Sequence, residues 1–289
     1  MIPTAGTIVT YPDGATTSTG TVVHVADAGA GRSAVVLDVT AFHPVDTAWP
    51  DQPADRGILR LSDGTSLPVL DAVVGAAQDD VLLLGEDVPV RTGTEGWTFV
   101  VAHVVDADLV AVGDVVVVEA DAAHRAALSA GHTACHLASL ALDAALADAW
   151  RKEVAPDALG APAFDSLAIE ESRIVPNGSL DRYRIGKSLR RRGFDPDALG
   201  DTAALAARVD ALLARWIDGG GDVRIERDAE TLAARRTWVC GLPSGDARIP
   251  CGGTHVDSLA RLASVTTSFE TIEVPGGVEL VMTTTAVAA

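Results

Sequence analysis

Two pairs of potential metal ligands, far apart in the chain, constrain the fold of this sequence more than any other feature. His132 and His136 are four residues apart in a segment with helical spacing, so both imidazoles are expected on one helix face, a turn apart. Cys251 and His255 are separated by the same interval, and two glycines lie between them, which permit tight backbone geometry. Zinc is commonly bound by four Cys and His ligands. The sequence therefore predicts a Zn²⁺ site made of His132, His136, Cys251 and His255.

The first part of the chain has the pattern of short strands. Up to about residue 118, β-branched runs alternate with Gly and Asp clusters that favour turns. Such runs at short intervals are typical of a small β-barrel. The runs cover residues 33–40, 81–84, 97–103 and 114–118. We therefore predict an N-terminal small β-barrel domain over residues 1–118.

The pattern changes near Asp121, a residue type that favours the helix N-cap. Beyond it, Ala- and Leu-rich stretches with helical spacing alternate with strand-like runs. The elements predicted from these stretches are helices over residues 121–154, 201–218 and 228–238 and a β-hairpin over residues 269–282. The predicted fold class is therefore α+β, in which an α+β zinc-binding domain over residues 119–289 follows the barrel.

Composition and cysteine usage predict a soluble, cytoplasmic protein. No run of about 18 apolar residues is free of charges, so no membrane span is expected. The N-terminus lacks the basic and apolar regions of a signal peptide. Three cysteines argue against a disulfide framework, and Cys135 and Cys240 are interpreted as core residues. His124 lies two turns before His132 and either supports the ligands or takes no part.

Charge is distributed unevenly along the chain. The net charge of −18 argues against a nucleic-acid binder, which usually presents a basic surface. Residues 1–150 hold 5 Lys and Arg against 20 Asp and Glu, whereas residues 151–289 hold 17 against 20. The second half also contains a basic run, which consists of Arg182, Arg184, Lys187, Arg190, Arg191 and Arg192. This run is either a solvated helix face or a strip that contacts phosphates.

The segments that carry the predicted ligands resemble one known family. Residues 132–137, HTACHL, look like the HTATHLL segment of the alanyl-tRNA synthetase editing domain. Residues 250–256, PCGGTHV, resemble its CGGTHV segment. The same pair occurs in the free-standing AlaX-type trans-editing proteins. Arg125 and the Gly113-Asp114 pair also resemble residues that precede the first motif in that family.

The N-terminal half resembles that of the longer AlaX-type proteins, with departures. Residues 37–44, LDVTAFHP, look like their LDxTxFYP stretch, and residues 52–57, QPADRG, look like their QPxDxG stretch. The glycine run that usually joins these stretches is replaced by the acidic segment 45–51, VDTAWPD. Residues 257–262, DSLARL, replace the usual tail after CGGTHV. Since the glycine run is associated with substrate or acceptor-end recognition, the specificity is expected to differ.

The resemblance implies a hydrolase that acts in trans on mischarged aminoacyl-tRNA, with Zn²⁺ as its cofactor. AlaX-type proteins hydrolyse the ester that joins a wrong amino acid, typically serine, to tRNA. The altered segment 45–51 also admits a related or non-standard amino acid, such as a threonine analogue. Gln52, Thr133 and Thr254 are predicted to line the substrate pocket, and no general base stands out. The partner expected is an aminoacyl-tRNA that binds weakly or transiently, through phosphate contacts that salt weakens.

The sequence is compatible with more than one role for the zinc and with more than one function. Four protein ligands are typical of a structural zinc, whereas a catalytic zinc keeps a position open. Either one of the four ligands binds the zinc weakly, or the coordination number increases when substrate binds, or the metal only positions the substrate. A zinc-dependent hydrolase of a small ester or amide is the second candidate function, which the net charge of −18 favours. A non-catalytic protein with a structural zinc is the third, and loss of fold on chelation without activity would favour it.

Overall fold

The computed structural model describes residues 2–46, 48–106 and 109–289. Its contacts divide the chain into two compact units, and both are discontinuous in sequence. The first unit comprises Met1–Ala126, Ile225–Thr237 and Pro250–Thr254. The second unit comprises Ala127–Arg224, Trp238–Ile249 and His255–Ala289. The first unit therefore takes in two short segments from the second half of the chain.

Strands dominate the first 120 residues. They are β1 (Ile8–Val9), β2 (Thr17–Asp27), β3 (Ser33–Leu37), β4 (Val39–Thr40), β5 (Gly57–Arg60), β6 (Ser66–Gln78), β7 (Val81–Leu84), β8 (Thr98–Val105) and β9 (Val115–Ala120). Seven of them form an antiparallel sheet in the order β5-β9-β2-β3-β8-β6-β7, and β5 also pairs with β6. The remaining two, β1 and β4, pair in parallel. The four runs predicted as strands all coincide with strands of the structure.

The core of the first unit is built mainly from Val, Leu and Ala. Strand β3 is buried along its whole length, which explains why its sequence is a continuous apolar run rather than an alternating one. Phe42 and Phe99 are the fully buried aromatic side chains of this core. Aromatic residues are only 4% of the chain, so branched aliphatic side chains supply most of the buried apolar area.

Helix α1 (Ala122–Ala145) begins where the sequence predicts it and ends earlier. The Oδ1 atom of Asp121 accepts hydrogen bonds from the N–H groups of the second and third helical residues, both at 3.0 Å, which satisfies two N–H groups at the helix start. The predicted continuation to residue 154 is wrong. Beyond a 3₁₀ turn at Ala147–Ala149, Trp150 pairs with Phe194 and the Arg151 N–H donates to the Gly193 carbonyl.

The second half of the chain mixes helices and strands. Its further helices are α2 (Phe164–Ala168), α3 (Lys187–Arg191) and α4 (Thr202–Asp218). Its strands are β10 (Ile169–Val175), β11 (Gly178–Ile185), β12 (Val223–Arg227), β13 (Arg236–Leu242), β14 (Gly245–Pro250), β15 (Leu262–Val274) and β16 (Gly277–Ala288). One antiparallel sheet has the order β10-β11-β16-β15, and a three-stranded sheet has the order β12-β13-β14. The predicted α+β class is confirmed.

Two predicted elements of this half are confirmed and one is wrong. Helix α4 and the β15–β16 hairpin lie where the sequence predicts them. The segment 228–238 is not helical, because it forms a turn that leads into β13. The Leu232 N–H donates to the Thr7 carbonyl at 2.8 Å, and the Leu232 side chain is buried in the core of the first unit. These long-range contacts outweigh the local helix preference of its Ala, Leu and Glu residues. In the part of the chain that the structure describes, no helix combines the length and the hydropathy needed to span a bilayer.

Candidate metal centre

Helix α1 places the first two predicted ligands. The ring centroids of His132 and His136 are 4.8 Å apart, as expected for residues a turn apart on one helix face. Gly131 allows this part of the helix to approach the turn between β10 and β11. A Cβ atom at Gly131 would lie 2.5 Å from the Val175 carbonyl oxygen and 2.6 Å from that of Gly178. The position of the first histidine pair therefore depends on a glycine that contacts backbone.

The loop after β14 carries the other two predicted ligands. Its N-terminal part is held by hydrogen bonds within the first unit. The Cys251 N–H donates to the Arg236 carbonyl at 3.1 Å. The Gln52 side chain pairs with Thr254 twice, because its Nε2 donates to the Thr254 hydroxyl and its Oε1 accepts from the Thr254 N–H, both at 3.0 Å. The residues beside Cys251 and His255 are thus fixed by partners that lie far away in sequence.

His255 is oriented by Thr133 on helix α1. The Thr133 hydroxyl lies 3.3 Å from Nδ1 of His255 and accepts a hydrogen bond from the Val256 N–H at 3.2 Å. The second lone pair of the hydroxyl oxygen can accept a hydrogen bond from the Nδ1–H group. In that tautomer the Nε2 atom of His255 carries the ring lone pair with which a neutral imidazole binds metal. The His255 ring centroid lies 4.4 Å from that of His132 and 5.1 Å from that of His136.

The four predicted ligands come together. One potential ligand atom from each of His132, His136, Cys251 and His255 lies within 4.8 Å of all the others. Ligand atoms on one tetrahedral zinc stand about 3.3–3.8 Å apart at bond lengths of about 2.0–2.3 Å, so the largest separation in the cluster exceeds that of a bound ion by about 1–1.5 Å. The buried Nε2 atom of His136 has no hydrogen-bond partner among the described residues. A buried polar atom without a partner is costly, and a cation among these donors would satisfy it.

The protonation of two ligands also fits a cation. Burial lowers the pKa of His136 to about 4, so its imidazole is neutral at neutral pH and can donate a lone pair. Burial, and to a smaller extent the Asp51 carboxylate, raise the pKa of Cys251 to about 12, although the Arg236 guanidinium opposes this shift. Without a cation the thiol therefore keeps its proton. A metal ion supplies the charge that stabilises the thiolate.

The structure places the three predicted pocket residues in buried positions. Gln52 is 1% exposed, Thr254 is 3% exposed and Thr133 is fully buried. All three make the hydrogen bonds that hold ligand-bearing segments in place. Their contact with a substrate stays a prediction. Of the acidic segment 45–51, Thr47 lies outside the described residues, and Trp49 is exposed.

The basic run divides into two groups. Arg182 and Arg184 lie on β11, and both guanidinium groups form ion pairs with Glu279, at 3.8 and 3.4 Å. Arg182 is also 3.4 Å from Glu171. The other four residues, Lys187, Arg190, Arg191 and Arg192, are exposed on or directly after helix α3. Only this second group has cations without an acidic partner within the described residues.

Two features near the ligands were not found by sequence reasoning. The Arg125 guanidinium forms a buried ion pair with Asp55 and donates to the Ala41 carbonyl at 2.7 Å. Arg125 was noted only for its resemblance to a family position, and nothing in the sequence names Asp55 as its partner. Trp238 stands 5.0 Å from His136 between ring centroids. The sequence did not indicate that Trp238 lies beside His136, because the segment 228–238 was predicted to be helical. A comparison of the sequence with known protein families and with curated proteins finds no match.

Proposed function

We propose that this protein is a zinc-dependent hydrolase that deacylates mischarged aminoacyl-tRNA in trans. The observation that carries the proposal is the convergence of His132, His136, Cys251 and His255, on the two segments whose sequences resemble the editing family. We further propose that the second unit is an editing-type domain. The first unit would then be a small β-barrel domain. The pairing of β5 with both β9 and β6 supports this hypothesis.

A zinc ion held by these residues would supply Lewis acidity for the ester carbonyl. The surrounding residues hold the ligands in position. The Thr133 hydroxyl contacts Nδ1 of His255 and so helps to orient its ring, and the Gln52 side chain holds the backbone of Thr254. Because Thr133, Gln52 and Thr254 are buried, water has little access to their hydrogen bonds. None of the described residues is assigned as a general base.

The proposed substrate is the ester of serine, or of a related or non-standard amino acid such as a threonine analogue, with tRNA. The acidic segment 45–51 stands where the resembled family has a glycine run. Asp51 in this segment raises the pKa of Cys251, so its carboxylate is close enough to influence the metal site. A carboxylate at this place favours a substrate with a positive group, such as the α-ammonium of an aminoacyl ester.

The proposal is tested by deacylation of a panel of labelled aminoacyl-tRNAs. The panel holds serine and glycine on tRNA(Ala), and threonine and its analogues on tRNA(Thr). We expect hydrolysis of one member by the zinc-loaded protein and no hydrolysis by Cys251→Ala. Cys240→Ala is the matched control, since this cysteine is buried in β13 and is not one of the four ligands. The absence of hydrolysis across the panel would contradict the proposal.

A zinc-dependent hydrolase of a small ester or amide is the second candidate. The net charge of −18 favours it, because a polyanionic substrate is repelled by an acidic protein. Hydrolysis of small esters without salt-sensitive tRNA binding would support this alternative. Zinc binding without any hydrolysis, together with unfolding on chelation, would instead support a structural zinc.

A further inference from the structure

We infer that the second unit docks RNA on a row of three adjoining shallow concavities that includes arginines of helix α4. This inference rests on the proposed function and names the surface that would bind the tRNA. From the sequence, the basic run 182–192 was the one segment considered for phosphate contacts. In the structure, part of this run is exposed, and cations from other segments lie beside that part.

The concavities share lining residues and so form one continuous surface. The first is lined by residues 147–162 and includes Arg151 and Lys152. The second shares Arg151 and Lys152 and adds Arg190 and Asp195. The third shares Asp195 and is lined by the end of α1 and by Arg208 and Arg215 of α4. Five cations from three separate segments therefore line a single path across the second unit.

The cations outnumber the acids that could neutralise them. The acidic residues of the three concavities are Asp148, Glu153 and Asp195. Asp195 is already engaged, since it pairs with Arg151 and accepts a hydrogen bond from the Asp197 N–H. Arg208 and Arg215 are exposed and make no ion pair within the described part of the chain. The exposed side chains of Arg191 and Arg192 extend the positive charge beyond the row.

The spacing of these cations fits a polyanion. Arg208 and Arg215 are two helical turns apart, which corresponds to roughly 10 Å along α4. A single small anion cannot engage cations spread over three segments, whereas the phosphates of a nucleic-acid backbone can. The concave row also lacks exposed large aliphatic side chains. None of the exposed large hydrophobic residues of the described chain lies within residues 144–174 or 176–215. An apolar insertion into a lipid surface therefore has no anchor here.

The test compares the binding of uncharged tRNA by the whole zinc-loaded protein and by paired variants across a salt series. In Arg208→Gln/Arg215→Gln, and separately in Lys152→Gln/Arg190→Gln, we expect the slope of log K against log salt to fall by about 2. At about 0.1 M salt the affinity should fall roughly 10²-fold. Arg182→Gln/Arg184→Gln is the matched control, because these two arginines form ion pairs with Glu279 and Glu171. Its affinity should change far less.

The outcomes separate this surface from the proposed function. Wild-type affinity and slope in both paired variants, from a protein that deacylates aminoacyl-tRNA, would overturn the surface alone. The absence of tRNA binding by the wild-type protein, together with the absence of deacylation, would overturn both. Binding of phosphatidylserine vesicles that the paired variants lose, without tRNA binding, would also overturn the RNA assignment.

Discussion

One buried hydroxyl group contacts the predicted ligand His255. The Thr133 oxygen contacts both Nδ1 of His255 and the Val256 N–H. A hydrogen bond of this kind fixes the ring of a metal-binding histidine and its tautomer. The hydroxyl is fully buried, so water cannot replace it. Thr133 is therefore placed to act as a positioning residue, which would affect a bound metal through the predicted ligand that it contacts.

Replacing this hydroxyl should weaken zinc binding. In Thr133→Val the shape is kept, but the partner of Nδ1 is lost, and we expect the zinc affinity to fall about 10–100-fold. Competition with a chromophoric chelator measures the affinity. Thr133→Ser keeps the hydroxyl and should retain an affinity close to wild type. An unchanged affinity in the valine variant would show that His255 is oriented by other contacts.

Single residues were predicted well where their chemistry is local. The four predicted ligands follow from two i, i+4 spacings, and the structure brings one potential ligand atom of each within 4.8 Å of the others. Their hydrogen-bond partners do not follow from the sequence. Gln52 and Thr254 are far apart in the chain and meet only in the folded protein. Nothing in the sequence around Thr133 indicates that its hydroxyl faces an imidazole rather than solvent.

At the scale of elements, the placement of α1 depends on its contact with the β10–β11 hairpin. Gly131→Ala adds a Cβ atom that would lie 2.5 Å from the Val175 carbonyl oxygen. Because backbone must move to relieve this clash, we expect a loss of about 1–3 kcal/mol in unfolding free energy and weaker zinc binding at the adjacent His132. Urea denaturation and chelator competition measure the two effects. Gly186→Ala is the control, since a Cβ there meets nothing within 4 Å. Equal behaviour of the two variants would contradict this account.

A buried carboxyl on α1 should make stability depend on pH. Burial raises the pKa of Asp143 to about 9, and its Oδ1 accepts a hydrogen bond from the Asp165 N–H at 2.7 Å. The folded state therefore holds a proton that the unfolded state releases above about pH 4. The contribution of Asp143 to stability is therefore fully present below about pH 4 and is lost as pH rises toward 9.

Asp143→Asn should remove much of this dependence. The amide oxygen can still accept the hydrogen bond from Asp165, but the side chain no longer titrates. Between pH 5 and 9 we expect the slope of unfolding free energy against pH to become shallower by up to about 1.4 kcal/mol per pH unit. Urea denaturation at a series of pH values measures it. An identical slope in wild type and variant would contradict a buried, protonated Asp143.

Elements were predicted where local pattern and long-range contacts agree. Helix α4 has an apolar face that packs on β15, and its period is visible in the sequence. The segment 228–238 has helix-favouring residues, yet its backbone bonds to Thr7 and Val9 of the N-terminal segment. Those partners could not be named from the sequence. Local propensity is a weak term, and tertiary pairing overrides it here.

At the scale of the whole molecule, the α+β class was predictable because the composition changes between the two halves. The net charge could be read from the sequence, but the positions of the exposed cations could not. A net charge of −18 conceals the exposed cations around helix α3, and only the structure separates them from Arg182 and Arg184, which pair with Glu279. The function of an acidic protein toward a polyanion therefore depends on the local arrangement of charge.

The central claim is that His132, His136, Cys251 and His255 hold one zinc ion. The most direct measurement is the zinc content per chain after purification and dialysis against metal-free buffer, for wild type, Cys251→Ala and Cys240→Ala. The account predicts one zinc per chain in the wild type and in Cys240→Ala, and a large loss in Cys251→Ala. A wild-type protein that takes up no zinc, or a Cys251→Ala variant that retains it as tightly as the wild type, would contradict the claim.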